Sequence, residues 1–231
     1  GKSTTLYSVL SEINSEEKNV STIEDPVEAR IPGVNQAQVN VKAGFTFAGA
    51  LRSMLRQDPD ILMVGEVRDN ETAGIVTQAA LTGHLVFSTL HTNDAPSAVT
   101  RLVNLGVEPY LVAATLRGVL AQRLVRKICS HCKAKHEPDE RLAATIKAAG
   151  GDPDNVWHGA GCSHCRNTGY AGRIGVFELL VPDAELLEAI ASGASLQSLR
   201  GQLADGGFAT LREDGWEKVA AGLTTPDEVL Y

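Results

Sequence analysis

Asp58-Pro59-Asp60-Ile61-Leu62-Met63-Val64-Gly65-Glu66 is the stretch on which the fold turns. Asp58-Pro59-Asp60 stops a helix whose apolar stripe is Ala48, Leu51 and Leu55, and Ile61 to Val64 is then an unbroken apolar run. A short run of that kind, bounded by turn residues, predicts a strand buried on both faces. Downstream, Asn70 to Leu81 predicts a helix closed by Gly83 as a left-handed cap, and Leu85 to Leu90 a second apolar strand. Asp94 with Pro96 opens a helix through Leu105 that Gly106 closes, and Tyr110 to Leu124 predicts one more helix. Upstream, Leu6, Val9, Leu10 and Ile13 predict a helix starting near Ser3, and Val20 to Ile23 a strand ended by Asp25-Pro26. Strands alternating with helices of about 10–15 residues predict an α/β core, a parallel sheet with helices on both faces. That core is placed at residues 1–125.

The 231 residues are 43% hydrophobic, enough for one large domain or a core with a smaller appendage. With 28 acidic and 21 basic residues the formal charge is −7, which argues against a large phosphate-backbone footprint, so no nucleic-acid partner is expected. No run of about 18 apolar residues and no charged-then-apolar leader is visible, so a cytoplasmic location without a transmembrane segment is expected.

Gly1-Lys2-Ser3-Thr4, followed at once by the first helix, is the back half of a GxxxxGK[ST] phosphate loop. Backbone N–H groups at a helix N-terminus cradle phosphates, a lysine neutralises the β and γ oxygens, and the Ser3 hydroxyl is the candidate magnesium ligand. The glycine-rich front of the loop is expected upstream of Gly1. Glu66 follows the strand Ile61 to Val64, where a carboxylate reaches the C-terminal edge of a parallel sheet, the edge at which ligands bind. Arg52 and Arg56 are four apart and share one helical face, from which two guanidiniums can grip phosphate; ordinary ion pairs with Asp58 or Asp60 are the alternative.

The fifteen residues Leu55 to Asp69, reading LRQDPDILMVGEVRD, closely resemble the signature of type II secretion and type IV pilus assembly ATPases. Thr22-Ile23-Glu24-Asp25-Pro26-Val27-Glu28 resembles that family's acidic box, and Thr82 to Asn93, reading TGHLVFSTLHTN, its histidine box. The resemblance implies a RecA-like P-loop fold that binds ATP and Mg2+ and hydrolyses the nucleotide. It implies Glu28 as the base that activates water and Glu66 as the Walker B carboxylate, with Glu24 and Asp25 close enough to compete for either role. It also implies that Arg52 and Arg56 hold the nucleotide across a ring, that His91 reaches the γ-phosphate, and that the assembly is a homo-hexamer on an inner-membrane platform. His84 and His91 flank one strand and lie about 20 Å apart at ~3.3 Å per residue, so His84 is read as structural or interfacial. A DNA-uptake or conjugation ATPase of the same superfamily is the neighbouring alternative.

Past Arg126 the chain changes character. Cys129-Ser-His-Cys132 and Cys162-Ser-His-Cys165 are two matched knuckles whose four sulfurs suit tetrahedral Zn2+. The 29 intervening residues, 133–161, are expected to loop out as a helical insert, with His131 and His164 as bystanders. Buried structural cysteines or a redox pair are the alternatives. A closed four-thiolate site staples rather than catalyses, so a mostly helical, zinc-stapled appendage is expected, divided into 126–180 and 181–231. Retraction motors of the family lack the element, which favours assembly or secretion. A noncatalytic zinc-binding interaction module is the reading from a different class.

Overall fold

The computed structural model describes residues 1–230. In chain order, the first half runs α1 (Lys2–Ile13), β1 (Val20–Glu24), β2 (Asn35–Gln38), α2 (Phe47–Met54), β3 (Ile61–Val64), α3 (Asn70–Leu81), β4 (Leu85–Ser88), α4 (Pro96–Asn104) and α5 (Pro109–Thr115). Then come β5 (Val119–Ile128), β6 (Lys133–Lys135), α6 (Glu140–Ala148), β7 (Trp157–Gly159), β8 (Tyr170–Leu180), α7 (Ala184–Ala191), α8 (Leu196–Asp205) and α9 (Leu211–Ala220). The chain divides into two compact units. One takes 2–119 and 180–206; the other takes Gly1, 120–179 and 207 onward.

The first unit is built on a sheet of order β2-β1-β3-β4, parallel throughout, with Ile23 opposite Val64 and Val64 opposite Ser88. All four residues of β3 are buried. Ile61 and Met63 join Val20, Ile31 and Leu10 of α1 in one apolar cluster, and the alternation of a strand sends Leu62 and Val64 to the opposite face. There α2 lies against β1 and α3 against β4. The DPD turn sets the register: Asp58 adopts a left-handed conformation (φ 49°) and the Asp60 carboxylate accepts 2.7 Å from the Asn19 N–H, which starts β1 and β3 level. Asp69, the last residue of the fifteen, N-caps α3 by accepting from Thr72 N–H at 2.8 Å. Helices α7 and α8 pack on α5 and α4, and Arg200 of α8 pairs with Asp94, the residue whose other oxygen accepts from Ser97 N–H at the start of α4.

In the second unit, β5 pairs with β8, and β6 with β7 antiparallel. Ile146 and Val156 pack with Trp216 and Val219 of α9, and the Trp216 indole donates 2.8 Å to Ala149 O. Four expectations change here. The helix expected over Tyr110 to Leu124 ends at Thr115: Leu116 is already extended (ψ 124°), and Val119–Ile128 is a strand. The appendage is not mostly helical: β8 buries Val176, Glu178 and Leu180 at every second position, a strand period. The insert between the knuckles carries β6 and β7 as well as helix α6. The segment 181–231, expected as one subdomain, contributes α7 and α8 to the first unit and α9 to the second, while Tyr231 lies outside the described residues.

Candidate active site and metal centre

The C-terminal edge of the parallel sheet opens into a cavity of about 190 Å3 lined by Lys2, Ser3, Glu24, Asp25, Glu28, Glu66, Arg68, Thr89 and His91, among others. Each arrives for a local reason. Lys2 and Ser3 occupy the first turn of α1, where backbone N–H groups lack intrahelical partners and favour anions. Glu24 and Asp25 come off the end of β1, Glu66 off β3 and His91 off β4. Gly65 is held between strands: its N–H donates 2.8 Å to Ile23 O, and an added Cβ would stand 3.3 Å from both Ile23 O and Glu24 Cα. Val67 N–H donates to Thr89 O at 3.1 Å and the Thr89 hydroxyl to Gly65 O at 2.7 Å, tying the histidine box to the turn that presents Glu66.

Glu66 is engaged on both oxygens. Arg68 Nη2 lies 2.5 Å from Oε2 and His91 Nε2 lies 2.8 Å from Oε1. The Arg68 hydrogen bond holds its carboxyl below the ordinary glutamate value; burial pushes the other way, and the charges of His91, Arg68 and Lys2 add to the lowering. Glu28 accepts 2.9 Å from the Ser3 hydroxyl. Glu24 is only 4% exposed and is bound by the Tyr7 phenol, by Thr22 Oγ1 at 2.6 Å and by Gln36 Nε2 at 3.1 Å. So Glu24 is a buried, fully hydrogen-bonded carboxylate, while Glu28 and Glu66 face the predicted phosphate loop.

Of the residues expected at the site, Lys2, Ser3, Glu28, Glu66 and His91 come together around this cavity. Arg52 and Arg56 do not line it. Arg52 bridges α2 to α3 through Glu71 at 2.7 Å, and Arg56 donates to Ser53 Oγ at 3.2 Å. Neither Asp58 nor Asp60 is their partner in those bonds. His84 bonds locally, its Nδ1 at 2.9 Å from Ala79 O and 3.1 Å from Thr82 Oγ1. Sequence reasoning passed over Arg68, two residues past Glu66, and Tyr7, one helical turn past Ser3 on the same face.

The candidate metal centre lies in the second unit. The four cysteine sulfurs fall within 4.8 Å of one another, with separations of 3.9 Å (Cys129 and Cys162), 3.8 Å (Cys132 and Cys165) and 3.7 Å (Cys162 and Cys165). Tetrahedral zinc with Zn–S of about 2.3 Å sets its sulfurs about 3.8 Å apart, so the donor set fits that ion. Burial pushes the Cys165 thiol up, but N–H groups of Cys162 and Gly169 at 3.2 and 3.3 Å outweigh it and bring it to about 6, while burial pushes the Cys132 thiol up to about 12. Gly159 and Gly169 meet backbone to backbone beside the knuckles, where a Cβ on Gly159 would stand 2.0 Å from Gly169 O. His131 and His164, one from each knuckle, stack at 3.9 Å between ring centroids.

Against known proteins, the family model described as type II/IV secretion system protein matches residues 1–231. The type IV pilus assembly ATPase PilB of Thermus thermophilus is 53% identical over 232 residues, covering all of this chain and 26% of that protein. The type II secretion system protein HxcR of Pseudomonas aeruginosa is 50% identical over 230 residues, and the type II secretion system ATPase E of Vibrio cholerae 49%; the chain spans 45% and 46% of them. It thus spans less than half the length of each of these relatives. Among solved structures, the pilus retraction motor PilT with bound ADP matches with a TM-score of 0.72 at 28% identity, over 99% of this chain and 57% of that one. The ATPase DotB of Legionella pneumophila matches with 0.70 at 25% identity, over 99% and 56%. With that family model covering every residue from the phosphate loop through both cysteine knuckles, the chain belongs to the type II/IV secretion system protein family.

Proposed function

We propose that this chain is the ATP-hydrolysing part of a motor that powers type II protein secretion or type IV pilus assembly from the cytoplasmic side of the inner membrane. The observation that carries the reading is one cavity in which a helix N-terminus bearing Lys2 and Ser3 faces Glu28, Glu66 and His91. Pockets that enclose a whole small-molecule ligand run to about 300–1,000 Å3, so a 190 Å3 cavity is sized for the phosphate end of a nucleotide.

The residue roles follow from charge and engagement. ATP with Mg2+ supplies the scissile phosphoanhydride and screens its charge. Lys2 and the first N–H groups of α1 hold the phosphates, and Gly1 to Thr4 form the binding loop. The Ser3 hydroxyl and nearby carboxylates are hard oxygen donors of the kind magnesium takes. Glu66 already carries an ion pair to Arg68 on one oxygen and a contact from His91 on the other, and its lowered carboxyl stays ionised, which suits a fixed negative charge rather than a proton acceptor. Glu28 is then the base that receives the proton of the attacking water. His91, held on Glu66, faces the γ-phosphate. Arg52 and Arg56, which do not line this cavity, serve the nucleotide of a neighbouring copy in a homo-hexamer. The four cysteines bind one zinc ion that staples the second unit. Among the described residues no helix is long and apolar enough to cross a membrane, and attachment to the membrane runs through platform proteins.

The test is magnesium-dependent ATP turnover by the full-length protein, comparing wild type with Lys2→Ala and Glu66→Ala. Both changes are expected to lower kcat by at least about a hundredfold. Wild-type turnover that is absent at ring-forming concentration and with the membrane partner present would replace the motor reading with that of a zinc-dependent interaction module.

A further inference from the structure

We infer that Glu24 is the hub of a buried positioning network, working through Tyr7 and Gln36, that fixes the backbone of the loop carrying Glu28; the inference rests on the proposed role of Glu28. The acidic box thereby divides its labour: its first glutamate holds the loop and its last does chemistry.

The connections run from Glu24 to both sides of Glu28. The Tyr7 hydroxyl donates its proton to Glu24 Oε2 and accepts the Glu28 N–H at 3.1 Å. Burial, and then the hydrogen bond to Glu24, push the Tyr7 phenol above its ordinary value, so the hydroxyl keeps the proton that this arrangement needs. On the other side, Gln36 of β2 donates from Nε2 to Glu24 Oε1 at 3.1 Å and to Ala29 O at 2.9 Å, while its Oε1 accepts the Ile31 N–H at 2.7 Å. Thr22 Oγ1 completes the carboxylate at 2.6 Å. Three backbone groups of the loop, at residues 28, 29 and 31, are thus held by two side chains that meet on one buried carboxylate.

A loop without secondary structure keeps a side chain in place only where its backbone polar groups are tied down. Glu28 needs that placement, because a general base acts within hydrogen-bond reach of its proton and a displacement of about 1 Å can cost about a hundredfold in rate. Tyr7 also sits one turn past Ser3 on α1, so the helix whose N-terminus receives the phosphates sets the position of the base as well.

The experiment measures steady-state ATP turnover by the full-length protein at fixed magnesium for wild type, Tyr7→Phe, Glu28→Gln and the double variant, with a thermal melt of each. Tyr7→Phe removes only the hydroxyl. It is expected to lower kcat about tenfold while KM for ATP stays within about twofold, and to add no further loss in the Glu28→Gln background. Gln36→Met, which cuts the other arm, is expected to behave in the same way and serves if Tyr7→Phe melts early. Wild-type kcat in both variants, or an equal proportional loss with and without Glu28, would overturn the positioning role while leaving Glu28 as base. Near wild-type turnover by Glu28→Gln would overturn the base assignment, and the positioning role with it.

Discussion

At the scale of single residues, the cavity depends as much on a side chain that is missing as on those present. Gly65 follows β3 beside the end of β1, and a Cβ there would press at 3.3 Å on Ile23 O and Glu24 Cα, both backbone atoms. Backbone cannot swing aside as a flexible side chain can, so the strands must part by a few tenths of an ångström. Gly65→Ala is therefore expected to destabilise the protein by about 1–2 kcal/mol, in the range of overpacked cores, and to lower turnover more than that loss explains, since the moved backbone carries Glu24 and Glu66. A thermal melt alongside kcat checks both parts; unchanged kcat with a lowered melting point would separate packing from catalysis. The contacts on Glu66 follow the same economy of position. Arg68 is set two residues beyond it and Thr89 fixes the turn through Gly65 O, so the carboxylate is oriented by its own motif and by the histidine box together.

At the scale of elements, what could be read in advance was what local chemistry decides. The strand Ile61–Val64 and the helix Asn70–Leu81 have the expected bounds, because an apolar run between turn residues and an Asp69 cap leave no competing arrangement. The strands β5 and β8 were not legible. Leu116, Val119, Leu120 and Leu124 recur at helical spacing, so the local apolar pattern favours a helix, and the extended form of Val119–Ile128 goes with its pairing to β8. Of the residues around the cavity, Lys2, Ser3 and Glu66 were legible from motif and strand position and Glu28 and His91 from the resemblance, and the four cysteines from their spacing, whereas Tyr7 and Gln36 bond to positions brought near only by the fold. One long-range contact of this kind governs an element's stability. Glu228 accepts from Arg126 N at 2.7 Å and from its guanidinium at 2.6 and 2.9 Å, and Arg126 lies over the Tyr170 ring at 4.1 Å, which ties the C-terminal turn to β5 and β8. Burial raises the Glu228 carboxyl, but the Arg126 bonds outweigh it and leave it below its ordinary value. A depressed carboxylate lends its stability above the unfolded value of about 4.3 and loses it as pH falls through the folded value. Glu228→Gln is thus expected to cost about 1–2 kcal/mol from pH 5 to 7, a figure reduced for the solvent around the exposed Arg126. The gap from wild type should close below about pH 4 in thermal melts across that series; a gap independent of pH would assign the loss to packing.

At the scale of the whole molecule, the two units are held together internally by different means, and metal removal should tell them apart. The unit of 2–119 and 180–206 has a parallel sheet with buried strands β1 and β3 at its centre. The other unit has two-stranded sheets and a cluster around Ile146 and Trp216, and two strands alone are marginal in water. The cysteine knuckles sit between β5, β6, β7 and β8, with Cys129 N–H on Gly169 O at 3.0 Å and Ala160 N–H on Cys132 O at 2.9 Å, so an ion held by them would fasten the ends of all four strands. Because such sites bind thiolate, stripping the metal leaves four thiols crowded within 4.8 Å, and the free energy of binding is lost from folding. One equivalent of zinc per chain is expected by elemental analysis, with Cys129→Ser and Cys162→Ser each lowering it. Under a strong zinc chelator, amide exchange should speed up in 128–170 while β1 and β3 keep their protection, since their burial owes nothing to the thiolates. Unchanged exchange around the knuckles after complete metal loss would make the cluster a passive packing of cysteines, and loss of protection in β1 and β3 at the same rate would show that the two units unfold as one.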